Sequence, residues 1–161
     1  MRIYNNKVFF WNGIFSNWYP CKFTYNNVEF NCSEQALMYE KAILFNDQKT
    51  AQRILEAKTP KEQKALGRLV KNYNENIWSK NREKIMTDIL LAKFTSKNNF
   101  KNEMIKYKNY QFVEASPVDR IWGIGLHEDN ELIKDETNWR GQNLLGKALT
   151  KVCNQINNIE E

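Results

Sequence analysis

The sequence predicts a helix-rich α+β protein with a small N-terminal sheet or hairpin, and three observations lead there. The first thirty residues alternate apolar and polar side chains, with VFFW followed by KFTY and VEF on either side of Asn26-Asn27. From Ser33 onward apolar residues recur at helical spacing, in successive stretches down to Ile156. One strand-like run, YQFV at Tyr110 to Val113, interrupts them. No repeat, low-complexity tract or linker divides the chain, so a single domain over residues 1–161 is expected.

Each element has a local reason. Ser33 is placed to cap the first helix, and Glu34 in its first turn complements the helix dipole, with apolar residues running on to Phe45. Asp47 is placed to cap a shorter helix, TAQRILEAK. The run TPKE, Thr59 to Glu62, combines a capping box with proline at the first helical position. A longer helix is expected from Trp78 to Phe94, with Ile85, Met86, Ile89, Leu90 and Phe94 on one face. After a short helical piece around Met104, YQFVEA forms a strand and leads into the loop EASPVDRIWGIG, Glu114 to Gly125. A last helix, from about Gly141 to Ile156, buries Leu144, Leu145, Leu149, Val152 and Ile156.

Composition excludes more than it assigns. Hydrophobic residues at 42% and charged residues at 27% are ordinary for a globular protein, whereas 13% aromatics is high. A net charge of +5 suits an anionic partner, but it is spread along the chain with no basic tail, and a solvated lysine-rich surface explains it equally well. Cys21, Cys32 and Cys153 show no CxxC spacing, so neither a disulfide framework nor a zinc site is implied. His127 is the only histidine, which argues against multi-histidine metal centres and a serine–histidine–aspartate triad. No metal or cofactor is expected. No apolar run approaches a signal peptide or membrane span, and a cytoplasmic location is expected.

The first helix carries the most informative pair. Glu34 and Lys41 stand seven residues apart, two helical turns, so they project from one side together with Leu37, Met38 and Phe45. Buried charge must pair, shift its pKa or face a wet cleft. A plain Glu–Lys bridge or a snorkelling lysine explains the pair as well, and Glu40 beside it reads as simply solvated. The Glu114–Gly125 loop adds Glu114, Asp119, Trp122 and Gly123. Taken singly these read as a turn cap, a core tryptophan and a turn glycine. WNGIFSNWYP, Trp11 to Pro20, mixes aromatics with Asn17, and WRGQNLLG sets Arg140, Gln142 and Asn143 at a helix start whose N–H groups could receive phosphate, although capping and turn formation explain both segments as well. No Walker run is present, and GIG does not complete a dinucleotide fingerprint.

The ordered set FSNWYP, SEQALMYEK, KALGR, the Trp78 helix, EASPVDRIWGIG and GQNLLGKAL resembles the NADAR, or YbiA-like, family from about Phe9 to Val152. In the YbiA branch the tryptophan loop reads closer to WGDG, and here Ile124 stands at the acid's position. The resemblance implies an N-glycosidase that cleaves a ribose C1–nitrogen bond. Two substrate classes follow from it, ADP-ribose on guanine in nucleic acid or ribosylamino-pyrimidine intermediates of riboflavin synthesis. A third possibility is a module that binds ADP-ribose or NAD-like ligands without cleaving them. By position, the resemblance implies Glu34, Lys41 and Asp119 as the reactive set, with Asn17, Trp78 and Trp122 lining the pocket; Glu114, Gly123 and Asn143 of the loop segments join them as candidate substrate-binding residues. Glu34, Lys41, Trp78, Asp119 and Trp122 are expected to line one pocket. The chemistry suits these side chains: carboxylates stabilise charge developing at C1, and a partly neutral lysine can form an imine there.

Overall fold

Paired asparagines turn the first four strands into two hairpins. In the computed structural model, which describes residues 1–160, Asn5 and Asn6 join β1 (Arg2–Tyr4) to β2 (Lys7–Phe10) at φ 48° and 58°. Asn26 and Asn27 join β3 (Phe23–Tyr25) to β4 (Val28–Phe30) at φ 49° and 63°. Asparagine tolerates this left-handed region, and two such residues in succession match the twist of a tight hairpin. The helix-rich α+β expectation holds, with six helices among the described residues. The chain falls into two compact units, Met1–Ser16 with Lys97–Glu161, and Asn17–Ser96.

In the first unit β1 pairs antiparallel with β2, and β2 pairs parallel with β5 (Gln111–Glu114), Val8 opposite Phe112. The sheet is therefore not confined to the N-terminus. A strand about a hundred residues downstream completes it. Phe9, Val113, Ala115, Ile124, Leu126 and Ile133 form a core in which no residue is more than 2% exposed. Ile124 is thus a core residue, which gives an apolar side chain at that position a packing reason. α5 (Asn98–Ile105) precedes β5, and α6 (Leu144–Glu160) follows two 3-10 turns, Glu131–Lys134 and Glu136–Asn138. α6 begins three residues later than expected from the sequence, and Leu144, Leu145, Leu149, Val152 and Ile156 are buried as expected.

α6 closes the edge of β5 that β2 leaves unpaired. The Phe112 N–H donates to Thr150 Oγ1 at 3.0 Å. Asn143 Nδ2 donates to the Phe112 carbonyl at 3.0 Å, and Asn143 Oδ1 accepts the Glu114 N–H at 2.9 Å. Gly146 makes this approach possible, because a Cβ there would lie 2.2 Å from the Phe112 carbonyl oxygen and 2.3 Å from Asn143 Oδ1. An open sheet edge is a row of unsatisfied backbone groups; two side chains, Asn143 just before α6 and Thr150 within it, satisfy three of them here.

In the second unit α1 (Ser33–Leu44) packs against α2 (Gln48–Glu56), α3 (Pro60–Gly67) and α4 (Glu75–Thr95). Asp47 caps α2 by accepting the Thr50 N–H at 3.0 Å, and Thr59 caps α3 by accepting the Glu62 N–H at 3.2 Å, both as the sequence implies. α4 starts a turn earlier than Trp78, because Asn74 Oδ1 accepts the Ile77 N–H at 3.1 Å and supplies the cap. Met86, Ile89, Leu90 and Phe94 are fully buried.

Candidate active site

The start of α1 is built differently from the sequence expectation. Ser33 is the first helical residue rather than the cap, and Cys32 before it supplies no side-chain bond. Asn17 does the work from outside the helix: its carbonyl accepts the Glu34 N–H at 2.9 Å, and its Oδ1 accepts the Ser33 hydroxyl at 2.9 Å. Asn17 Nδ2 reaches Met86 Sδ on α4 at 3.5 Å. Asn17 is 6% exposed, and its placement fixes the turn that carries Glu34, itself 7% exposed.

Two turns further on, Lys41 is half-buried and held by rings. Its Nζ lies 4.7 Å from the centre of the Tyr73 ring and 5.8 Å from that of Trp78. Trp78, on the first turns of α4, is 5% exposed. Burial pulls the Lys41 ammonium below the ordinary lysine range; the charges of Glu75 and Glu34 partly offset this, and Arg68 adds to it. The Tyr73 hydroxyl hydrogen-bonds the Glu75 carboxylate, and Arg82 Nη1 stands 3.6 Å from Glu75 Oε1. The structure thus brings Asn17, Glu34, Lys41 and Trp78 into one unit and adds Tyr73 and Glu75, which sequence reasoning missed. No local pattern flags them, since YNEN reads only as a turn and helix cap. Glu40, expected in solvent, is half-buried, and burial raises its carboxyl pKa.

Glu114, Asp119, Trp122, Gly123 and Asn143 belong to the other unit. There the loop after β5 folds on its own polar groups. Asp119 Oδ1 accepts the N–H groups of Ile121 and Trp122, each at 2.9 Å, and Ser116 Oγ accepts that of Asp119 at 3.0 Å. Gly123 is needed because the loop closes tightly on itself: a Cβ would meet the carbonyl oxygens of Glu114 and Asp119 at 2.9 and 3.0 Å. The glycine's close backbone approach is therefore to its own loop. Trp122 is half-buried, and the Asn143 side chain is occupied by β5.

The start of α6 follows the capping and turn reading of its sequence. Its N–H groups are taken by loop carbonyls: Gln142 donates to Arg120, Asn143 to Gly123, Leu144 to Ile121 and Leu145 to Trp122, at 2.9 to 3.2 Å. These groups are not free to receive a phosphate. The WRGQNLLG segment instead clamps the tryptophan loop to the helix.

Residues 8–157 match the NADAR domain. The chain belongs to the NADAR family. An N-glycosidase of Acanthamoeba polyphaga mimivirus is 39% identical to it over 144 residues, covering 86% of this chain and 85% of that protein. An N-glycosidase of Nostoc punctiforme is 30% identical over 159 residues, covering 99% and 95%. The NMR structure of the E. coli protein YbiA shares the fold, with a TM-score of 0.79 over 99% of this chain and 89% of that one, at 21% identity. This NADAR protein is accordingly a hydrolase of the N-glycosidase class. No helix among its described residues is long and apolar enough to cross a membrane.

Proposed function

We propose that this NADAR enzyme removes ADP-ribose from modified guanine in nucleic acid, with Lys41 as nucleophile and Glu34 as proton relay. The observation that carries the reading is the setting of Lys41: an amine half-buried against two aromatic rings, with its pKa drawn down, on the helix side that also carries a buried glutamate. An ordinary surface lysine is almost wholly protonated and attacks slowly; desolvation lowers the Lys41 pKa and so raises the share of neutral amine.

When the ribose is joined to an exocyclic nitrogen, the sugar ring opens to an imine at C1. The Lys41 amine adds to C1, the base nitrogen leaves as an amine after taking a proton, and a C1=N bond to Lys41 remains. Water then adds to this imine, returning the free lysine and an aldehyde that closes to ribose. Glu34 carries the proton to the departing nitrogen and takes one from the attacking water. A net charge of +5 suits a substrate bearing phosphates. The family resemblance implies Asp119 in the reactive set and Trp122 in the pocket; the same proposal gives Asp119 the ribose hydroxyls or the developing cation and stacks Trp122 on the base.

The test uses DNA carrying ADP-ribosylated guanine, with borohydride added during turnover. Mass spectrometry should find a reduced adduct on the Lys41 peptide. Lys41→Arg should lose turnover by orders of magnitude with an unchanged far-UV spectrum, and Glu34→Gln should slow it by roughly 10²–10⁴. Normal turnover of Lys41→Arg with no trapped adduct would replace the imine with a direct oxocarbenium route stabilised by Glu34 or Asp119. Turnover only of ribosylamino-pyrimidines would move the enzyme to that substrate class, and binding without turnover would leave a recognition module.

A further inference from the structure

Around Lys41 the charges and rings form a chain that the reaction scheme does not use. Lys41 Nζ faces the Tyr73 ring at 4.7 Å, the Tyr73 hydroxyl is bonded to Glu75, and Glu75 lies 3.6 Å from Arg82 Nη1. Arg82 is 7% exposed and its Nε has no hydrogen-bond partner among the described residues, so its nearest compensation is this carboxylate. Glu75 itself is 63% exposed. A carboxylate that exposed moves freely and is screened by water, unless something holds it. The Tyr73 hydroxyl is what holds it.

We propose that Tyr73 and Glu75 form a positioning pair for Lys41: the ring of Tyr73 fixes where the amine sits, and its hydroxyl pins the Glu75 carboxylate within range. The pair rests on the reading of Lys41 as the nucleophile and adds the residues that set its charge state. The other charged groups facing Lys41 are Glu34 on its own helix and Arg68 at the end of α3. Of the two carboxylates, Glu75 acts on Lys41 more strongly than Glu34, although Glu34 shares its helix. The Tyr73 hydroxyl, pushed up to about 12 by its surroundings and by Glu75, remains a donor throughout the working pH range. The arrangement balances two needs. Burial favours the neutral amine that attacks, while the pinned carboxylate stabilises the positive charge on the same nitrogen once it is the iminium that water hydrolyses.

Two measurements test the pair. One is the pH dependence of Lys41 acetylation by pulsed acetic anhydride, read by peptide mass spectrometry, which reports the amine whether or not it is catalytic. The other is the pH–rate profile of N-glycoside cleavage. Glu75→Gln removes the negative charge and should move both the labelling midpoint and the acid limb of the rate to lower pH, by roughly half a unit. Tyr73→Phe keeps the ring but releases the carboxylate into water, and should move both in the same direction. The double variant should move them no further than Glu75→Gln alone, because both changes remove one effect. Unshifted labelling in both single variants, or shifts that add in the double, would overturn the pair. A shift in labelling without a shift in rate would uphold the pair and remove Lys41 from the chemistry, which separates the two claims.

Discussion

Replacing Asn143 by alanine should destabilise the protein severely, and the structure allows the amount to be worked. Two backbone groups lose their partners, the Glu114 N–H and the Phe112 carbonyl, each bonded at 2.9 to 3.0 Å to the buried Asn143 side chain. A buried group left unsatisfied costs about 1–3 kcal/mol. Asn143 also sits at φ 55°, where an alanine Cβ costs about 1–2 kcal/mol. The sum is about 3–8 kcal/mol, against a total stability of about 5–15 kcal/mol for a typical domain. Asn143→Gly should recover only the backbone share, about 1–2 kcal/mol. Urea unfolding followed by far-UV circular dichroism measures both variants, and native-state hydrogen exchange at the Glu114 amide reports the edge directly. A melting point lowered by roughly 10–20 °C in the alanine variant fits a chain of this length. An alanine variant within about 1 kcal/mol of the parent, still protecting the Glu114 amide, would refute the edge-closing role and leave Asn143 to the substrate.

Two further predictions concern pH. Lys93 is entirely buried, and burial pushes its ammonium down to about 8 from 10.5, so between those values the unfolded chain binds more protons and stability rises with pH. Against Lys93→Met, the parent should therefore gain roughly 1 kcal/mol from pH 8 to pH 9 in urea unfolding, and a constant difference would show that Lys93 stays charged in the fold. The Asp47 carboxyl is held down to about 2 by the N–H groups of Lys71 and Thr50, which lie 2.9 and 3.0 Å from its oxygens. Its contribution is complete above the unfolded value of 3.8 and is lost as pH falls through about 2, so the stability gap between the parent and Asp47→Asn should close across that window in acid titrations.

Much of the fold was legible because its causes are local. The Asn26-Asn27 turn, the Asp47 and Thr59 caps and the buried face of α4 are settled by residues within a few positions of one another. Periodicity likewise placed Glu34 and Lys41 on one side of α1, since two helical turns return to the same face. The ordered motifs identified the family, though no single motif gave the reason for its residues.

What only the tertiary structure decided involves partners far apart in the chain. Ser33 has the composition of a cap, yet Asn17 supplies the carbonyl, because the loop before β3 brings a better-placed acceptor than the helix's own neighbour. GQNLLG has the look of a phosphate cradle, but its N–H groups and the Asn143 amide are spent on the loop at 120–123 and on β5. β5 itself pairs with a strand from the chain's first ten residues. The same is true of Lys41: the sequence determined that an amine lies on a largely buried helix, and folding alone set it against Tyr73 and within reach of the Glu75 charge. Backbone donors, acceptors and desolvated charges must all be satisfied somewhere, and a local pattern says which groups need partners without saying which distant residues supply them.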